Sequence, residues 1–331
     1  MTRRTRIIAL TATVVVVGLL AALAVGANMA LGLLTDTERD APVRGADYTR
    51  VTEQYPETKS WIDSLQRTSS LLDTIITASD GRRLHAVYAK ARTATDRTAV
   101  IVHGWKDSSV GMMQYGYVFN VLMGYNILLP DLNGHGQSDG DNINMGWKDR
   151  LDVMQWMDVA DNIFAPRDST TQRRIADTQM ILHGVSMGAA TVMCVSGEQL
   201  KPYVKAVIED CGYTSVWDEV QHEVKTGHKE LESISGIIVP AADLLCRLKY
   251  GWGFKEASPL KQVGKSTLPM LFIHGDADDF VPTWMVNPLY EAKQEPKEIW
   301  IAEGSKHALS YKDHKAEYVQ RVRNFADKYI H

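Results

Sequence analysis

The sequence predicts an α/β protein whose central sheet is mostly parallel and flanked by helices. Short runs of β-branched and other apolar residues alternate along the chain with longer segments of helical character. One of these runs, TAVIVHG at 98–104, shows no polar alternation, as expected of a strand that is buried on both faces. Because helices rather than tight turns separate most of the runs, we expect neighbouring strands to pair in parallel.

The strands begin with a hairpin and continue as separate runs. Asp80 and Gly81 lie between the first two runs and form a dipeptide that is typical of tight hairpin turns. After the strand at 98–104, further strands are predicted at residues 125–131, 178–184, 204–212, 268–276 and 297–304. Helices are predicted at residues 110–123, 147–164, 187–197 and 314–330.

One connection is much longer than the others. Residues 212–268 separate two predicted strands, whereas an ordinary connection has ~2–6 residues. The segment includes helix-like stretches such as SVWDEVQHEVKTGHKEL and GIIVPAADLLCRLKY. We therefore expect it to form a helical lid inserted over the sheet.

The amino-terminal segment predicts a membrane anchor. No charged residue occurs from Ile7 to Leu34, a stretch longer than the ~20 residues that a spanning helix needs. The apolar core of a cleavable signal has only ~7–15 residues, which favours an anchor that stays attached. The alternative is cleavage near Ala24 or Ala27, which would release the rest of the chain as a secreted protein.

The charges beside this segment predict its orientation. Arg3, Arg4 and Arg6 precede the apolar stretch and are expected to stay on the cytoplasmic side of the cell membrane. The rest of the chain would then be extracellular. We expect residues 1–45 to form the anchor and a polar linker, and residues 46–331 to form the folded body.

The composition excludes several kinds of partner. A net charge of −4, without a basic stripe or zinc-ligand spacing, gives no electrostatic footprint for nucleic acid. No glycine-rich phosphate loop occurs, and HEVKTGH at 222–228 lacks the histidine spacing of a zinc protease. We therefore predict no metal and no cofactor. The three cysteines, Cys194, Cys211 and Cys246, form no C-x-x-C pair, and a disulfide between two of them stays open.

A catalytic pattern lies between the predicted strand at 178–184 and the helix that follows it. Gly184 and Gly188 flank Ser186 in the order G-x-S-x-G, which is typical of a serine nucleophile on a sharp strand-to-helix turn. Such a turn holds the serine in an unfavourable backbone conformation, and larger side chains two residues away would collide with it. Partners for the serine should then follow along the chain.

Acidic and basic residues follow the later strands in the required order. Asp276, Asp278 and Asp279 come directly after one predicted strand. His307 follows the last one. The carboxyl ends of parallel strands meet at one edge of a sheet, so these residues are expected to lie near Ser186. The histidine would remove the hydroxyl proton, and one carboxylate would fix its tautomer.

Two backbone N–H groups are expected to bind the oxyanion of a tetrahedral intermediate. One belongs to Met187, directly after the serine, and the other to Trp105, in the loop after the TAVIVHG strand. His135 lies in a loop that could line the site. His183 and His274 end strands, and we expect local hydrogen bonds to satisfy their rings.

Together these motifs resemble those of the α/β-hydrolases, especially the membrane-anchored or secreted bacterial serine hydrolases. The chain carries HGW at 103–105, PDLNGHGQSDG at 130–140 and HGDADDFVP at 274–282, where the family has HGW, PDxRGHGxS and HGxxDxxVP. The resemblance implies that Asp278, four residues after the histidine of the third motif, is the catalytic acid. Asn133 departs from the pattern, which has arginine there, and this puts in doubt a structural salt bridge in that loop.

The function expected from this resemblance is that of a carboxylesterase that cleaves a small-molecule ester through an acyl-serine intermediate. A serine peptidase or a thioesterase of the same fold is the alternative with the same chemistry, and a non-catalytic surface-binding protein is the alternative without it. The apolar stretch SGIIVPAADLLCRL, in the predicted lid, is expected to line an acyl pocket. None of these patterns predicts the oligomeric state.

Overall fold

The computed structural model describes residues 2–37, 48–226 and 233–331, so most of the predicted polar linker lies outside the described residues. Within them the chain forms an eight-stranded sheet in the order β1-β2-β4-β3-β5-β6-β7-β8. The strands are β1 (Leu72–Thr77), β2 (Arg83–Ala89), β3 (Arg97–Val102), β4 (Asn126–Pro130), β5 (Gln179–Val185), β6 (Val204–Asp210), β7 (Met270–Gly275) and β8 (Lys297–Ala302).

Strand pairing changes direction after the first strands. β2 pairs antiparallel with both β1 and β4. The pairs from β4 and β3 through to β8 are all parallel. The predicted α/β class and its mostly parallel sheet are therefore confirmed.

Helices cover both faces of the sheet. They are α1 (Arg3–Thr35), α2 (Thr49–Gln54), α3 (Lys59–Arg67), α4 (Met113–Tyr117), α5 (Asp149–Phe164), α6 (Met187–Ser196), α7 (Val216–Thr226), α8 (Ser235–Tyr250), α9 (Pro259–Val263), α10 (Val286–Ala292), α11 (Ser310–Asp313) and α12 (Lys315–Tyr329). Val100 and Val102 of β3 belong to the hydrophobic cluster that includes α5 and α6. Ala99 and Ile101 belong to the cluster on the other face, with α4 and α12. This burial on both faces explains why the β3 sequence lacks polar alternation.

The helix predicted at 110–123 is irregular in the structure. It consists of a 3₁₀ turn at Val110–Met112, then α4, and then a π-helical turn at Val118–Leu122. Within that last turn Asn120 donates from Nδ2 to the carbonyl oxygen of Tyr125 at 2.8 Å. Asparagine side chains that bond to nearby backbone in this way compete with regular helical geometry.

The loop after β4 is held by an arginine from the first hairpin. Arg82 donates from Nη1 to Asn133 Oδ1 at 2.7 Å. The same guanidinium group contacts both carboxylate oxygens of Asp152 in α5, at 2.8 and 3.1 Å. The bidentate arginine–carboxylate pair thus joins the first hairpin to α5, and the loop is attached to it through the side-chain oxygen of Asn133.

The last turns of α1 pack onto the folded body. Side chains through Val25 are mostly exposed, whereas Ala27, Leu31 and Thr35 are buried. The N–H of Ile143 donates to the carbonyl oxygen of Thr35 at 2.7 Å. By length and composition α1 could cross a membrane, as an anchor or as a signal sequence.

The long connection between β6 and β7 is helical where it is described, at residues 212–226 and 233–268. It contains α7, α8 and α9 and adds no strand to the sheet there. α8 packs against α7 and also against α1, where it contacts Gly26 and Asn28. The connection that begins at the carboxyl end of β6 thus packs, through α8, against the amino-terminal helix.

Candidate active site

Ser186 lies on a sharp turn between β5 and α6. Its φ is 57° and its ψ is −120°, a conformation that residues with a Cβ rarely adopt. A Cβ on Gly184 would collide with the carbonyl group of Gly188, and a Cβ on Gly188 would collide with the carbonyl oxygen of Val102. Both glycines are therefore required by steric contact, as the G-x-S-x-G pattern implies.

A chain of hydrogen bonds joins this serine to an acid. Ser186 Oγ lies 2.9 Å from His307 Nε2. His307 Nδ1 lies 2.8 Å from Asp278 Oδ2. The three residues follow β5, β8 and β7, and these strands end at the same edge of the sheet. The fold thus brings together three residues that are far apart in the sequence.

The carboxylate of Asp278 is buried but well supplied with donors. Its Oδ1 accepts hydrogen bonds from the N–H groups of Phe280 at 3.1 Å and Val281 at 3.0 Å. Burial alone raises the pKa of Asp278, but the hydrogen bonds from His274 and His307 outweigh burial and lower it to about 2. An ionised carboxylate only accepts, so the proton lies on His307 Nδ1. His307 Nε2 is then the acceptor for the serine hydroxyl.

The two neighbouring acids have other surroundings. Asp276 is exposed, and its Oδ1 accepts a hydrogen bond from the N–H of Gly304 at 2.6 Å. Asp279 is also exposed, and its carbonyl oxygen accepts from His222 Nε2 at 2.9 Å. Of the three acids, Asp278 is the one within hydrogen-bond distance of the imidazole that contacts the serine.

The loop after β3 lies directly against the serine. A Cβ on Gly104 would be 3.4 Å from Ser186 Cβ, so the backbone leading into Trp105 borders the hydroxyl. Trp105 and Ser186 also line the same two pockets. Met187 is the first residue of α6, and a helix leaves its first N–H groups without partners inside the helix. Both backbone positions expected for oxyanion binding are thus next to the hydroxyl.

Two buried histidines brace this loop. His103 Nε2 accepts from the N–H of Leu132 at 3.0 Å, and His135 Nε2 accepts from the N–H of Lys106 at 3.2 Å. Burial, with a smaller contribution from His103, lowers the pKa of His135 to about 3 and keeps its ring neutral. The expectation that His135 could line the site is wrong, because its ring is buried, bonds to the backbone of Asn133 and Lys106, and lines neither pocket beside Ser186.

The other two strand-ending histidines, His183 and His274, differ in how far along the chain their hydrogen-bond partners lie. His183 Nε2 lies 2.8 Å from the hydroxyl of Tyr318 in α12, and burial lowers the pKa of His183 to about 3. The prediction of a local partner is wrong for this residue, because its ring is buried under the carboxyl-terminal helix. His274 donates from Nε2 to the nearby carbonyl oxygen of Val281 at 2.9 Å, as predicted.

An apolar pocket of about 240 Å³ opens beside Ser186. α1 contributes Leu33 and Leu34 to its wall, and α7 contributes Val220 and Val224. The prediction that the SGIIVPAADLLCRL stretch lines this pocket is wrong. That stretch forms α8, which packs against α1 and α7 outside the wall.

Glu219 is an acid in this pocket that the sequence did not single out. It lines the pocket, is 5% exposed, and its Oε2 has no hydrogen-bond partner among the described residues. Burial, with the charge of Glu223, raises the pKa of Glu219 to about 8, so the group is mostly neutral at pH 7. In the sequence, Glu219 follows Val216 by three residues and precedes Val220 by one. This helical spacing places it on the buried face of α7 and could have indicated a buried acid.

One buried cysteine lies close to the acid and the histidine of the site. Cys211, Asp278 and His307 present ligand-type atoms within 4.8 Å of one another. Burial raises the pKa of the Cys211 thiol well above its usual value and so favours the protonated thiol. Cys194, Cys211 and Cys246 are all buried free thiols, and no disulfide joins them.

The sequence matches a known family and several curated relatives. A model of the prolyl oligopeptidase family matches residues 112–331. The Bacillus subtilis protein YqkD is 30% identical over 240 residues, which cover 72% of this chain and 74% of YqkD. The Escherichia coli O157:H7 protein YfhR is 26% identical over 254 residues, which cover 75% of this chain and 78% of YfhR.

Solved structures share the fold at low sequence identity. The Pyrococcus furiosus esterase Pf2001 matches with a TM-score of 0.61 and 20% identity, covering 81% of this chain and 94% of Pf2001. Est1E from Butyrivibrio proteoclasticus, solved with ferulic acid bound, matches with a TM-score of 0.52 and 17% identity over 77% of this chain and 98% of Est1E. Similarity at this level shows a common α/β-hydrolase architecture.

Replacing Glu219 with glutamine is expected to change the pH dependence of stability. The pKa of the Glu219 carboxyl is about 8 in the folded chain, whereas in the unfolded chain it has the ordinary value of 4.5. The wild type therefore loses stability as the pH rises from about 4.5 to about 8, and the variant lacks this loss. Melting temperatures across that range should show an advantage of Glu219→Gln that grows with pH. Glu53→Gln, at an exposed acid, is the control, and an advantage of Glu219→Gln that does not change with pH would contradict the assignment.

Proposed function

Since the chain belongs to the prolyl oligopeptidase family and has the α/β-hydrolase fold, we propose that it is a serine hydrolase that cleaves esters. The observation that carries this proposal is the hydrogen-bonded series of Ser186, His307 and Asp278 at the carboxyl edge of the sheet. The fold shared with Pf2001, which is an esterase, supports the same assignment.

Ser186 is the nucleophile in this proposal. His307 Nε2 accepts the hydroxyl proton as Oγ attacks the carbonyl carbon of the ester. Asp278 stays ionised and stabilises the imidazolium that forms. The backbone N–H groups of Trp105 and Met187 donate to the oxyanion, whose charge is greatest in the tetrahedral intermediate.

The second half of the cycle returns the enzyme to its starting state. The imidazolium of His307 protonates the alcohol oxygen, the carbon–oxygen bond breaks, and the acyl group remains on Ser186. A water molecule then loses a proton to His307 and attacks the acyl carbon. Collapse of the second intermediate returns the proton to Ser186 Oγ and releases the carboxylic acid.

The pocket supports an ester with an apolar acyl group. Most of its lining residues are apolar, and its buried acid, Glu219, is mostly neutral, while a second acid, Glu223, also lies in the wall. A serine peptidase is the second candidate, because the matching family is named for an oligopeptidase, and a thioesterase would use the same three residues. Comparing kcat/KM for acyl esters, acyl thioesters and aminoacyl amides separates the three activities. A non-catalytic binding protein would not need the complete hydrogen-bonded series.

The proposal includes a retained single-pass anchor. Residues 1–45 act as anchor and linker, and residues 46–331 act as the hydrolase domain on the extracellular side. The arginines before the apolar span support this orientation. The burial of Ala27 and Leu31 supports retention, because removal of the whole helix would uncover the surfaces that they contact.

Ser186→Ala is expected to lower ester turnover by at least about 10³-fold, because loss of a triad nucleophile removes covalent catalysis. Labelling by a fluorophosphonate probe should also disappear, while circular dichroism stays unchanged. Ser196→Ala is the matched control, since this serine lies at the far end of α6 and donates to the carbonyl oxygen of Met193. Continued labelling of the Ser186→Ala protein would contradict the proposal.

Substitution of the acids tests the role of Asp278. Asp278→Asn should lower kcat by about 10³- to 10⁴-fold, because the amide favours the wrong histidine tautomer. Asp276→Asn should retain nearly all activity, because an amide oxygen can still accept from the N–H of Gly304. The assignment is wrong if Asp276→Asn is the more damaging change in a steady-state ester assay.

Protease protection tests the location. An external protease added to intact cells is expected to degrade the catalytic domain and to spare cytoplasmic proteins, because the arginines hold the amino terminus inside. Recovery from the culture medium of a chain that begins between residues 25 and 30 would replace the anchor with a cleaved signal. Full-length protein that is soluble in the cytoplasm would reject export altogether.

A further inference from the structure

The uncharged part of α1 is longer than a bilayer requires. It runs from Ile7 to Leu34, whereas ~20 helical residues at ~1.5 Å each cross a hydrocarbon core of ~30 Å. Residues 7–26 satisfy that length. The remaining turns, residues 27–34, are not needed for the span, and they are the ones that pack onto the folded body.

These additional turns form hydrogen bonds with the loop after β3 and with α8, in the connection between β6 and β7. Trp105 Nε1 donates to the carbonyl oxygen of Leu34 at 3.0 Å. The backbone of the same tryptophan borders Ser186. On the other side, Lys249 of α8 donates from Nζ to Asn28 Oδ1 at 2.6 Å. The end of the apolar helix is thus part of the frame of the active site.

The same turns form one wall of the pocket beside the serine. Ala30, Leu33 and Leu34 line it. Leu33 is 54% exposed although it lines the pocket, so the pocket opens along the side of α1. An opening beside the last turns of a membrane-spanning helix lies at the bilayer surface rather than far out in solvent.

α8, which packs against α1, presents an exposed apolar stripe. Ile237, Leu244 and Leu248 lie on one face of the helix and are 60%, 58% and 75% exposed. Ile238 of the same helix comes within 3.6 Å of a Cβ placed on Gly26. Gly26 is the last residue that the span requires, so α8 lies at the depth where the bilayer ends. Exposed leucines at that depth are stabilised in the interface between headgroups and acyl chains.

We propose that the substrate is an acyl ester embedded in the bilayer, whose acyl chain enters the pocket along α1 while its ester bond reaches Ser186. The α8 stripe lies in the surface of the same membrane and turns the pocket opening toward lipid. This inference rests on the proposed function, because it requires ester cleavage at Ser186.

The test uses the full-length protein in phosphatidylcholine vesicles. 4-Methylumbelliferyl oleate is placed either in the vesicles that hold the protein or in separate vesicles, and water-soluble 4-methylumbelliferyl acetate is assayed in parallel. The oleate ester should be cleaved at least about tenfold faster in shared vesicles, because one bilayer raises its effective concentration at the pocket. Cleavage of the acetate ester with equal oleate rates in both arrangements overturns this inference alone. No cleavage of either ester overturns the proposed function as well.

Two pairs of variants test the route. Ala30→Trp fills the pocket and should lower kcat/KM for the oleate ester at least about tenfold more than for the acetate ester. Ala22→Trp, on the exposed part of α1, is its control. Leu248→Glu should lower the rate in shared vesicles severalfold, because a charge at the interface weakens membrane contact. Ile175→Glu is its control, because Ile175 is 68% exposed in the loop before β5, at the opposite edge of the sheet.

The variants can also reject the inference. Equal effects of Ala30→Trp on both esters, or equal effects of Ala30→Trp and Ala22→Trp, would show that the acyl group does not bind beside α1. If Leu248→Glu changes the oligomeric state in detergent and leaves the rate in shared vesicles at the wild-type value, a second copy of the chain covers the stripe and the assignment to the bilayer is wrong.

Discussion

The close approach of Gly184 to Gly188 holds the end of β5 against the first turn of α6, and the geometry of the site is built outward from this contact. It forces Ser186 to a φ of 57° and directs its hydroxyl to the carboxyl edge of the sheet. The N–H of Ser186 donates to the carbonyl oxygen of Asp210 at 2.8 Å, so β6 holds the turn from the other side. A strained residue persists only where several neighbours determine its position, and here strands on both sides do so.

Two buried carboxyl groups in the same site show how surroundings determine charge. Asp278 accepts from two backbone N–H groups and from His307, and these donors keep it ionised despite burial. Glu219 is buried at the pocket with one oxygen unpartnered, and burial favours its neutral form. The first group can orient and stabilise a cationic imidazole, while the second adds little charge of its own to the pocket, whose wall also holds Glu223.

Local patterns in the sequence were enough to predict the sheet and the residues that meet at its carboxyl edge. The succession of strands and helices follows from periodicity, the required glycine turn follows from G-x-S-x-G, and parallel strands gather their loops at one edge. Contacts between distant segments were not predictable, because hydrophobic periodicity indicates which residues are buried but not which segment packs against them. The hydrogen bond of His183 to Tyr318 and the guanidinium of Arg82 beside Asn133 are such contacts. The wall that α1 adds to the pocket is a third, because an apolar run long enough to span a bilayer gives no indication that its end is docked.

The docking of α1 gives this helix a role beyond the proposed attachment to a membrane. In thermodynamic terms its last turns act as an intramolecular ligand, since they belong to the same chain as the surface that they contact. A chain shortened to begin at Tyr48 would lose this ligand, expose the apolar surfaces that Ala27 and Leu31 cover, and leave the indole of Trp105 without its acceptor. Solubility and the shape of the pocket would then change together. The intact site therefore includes the last turns of α1 as well as residues of the folded body.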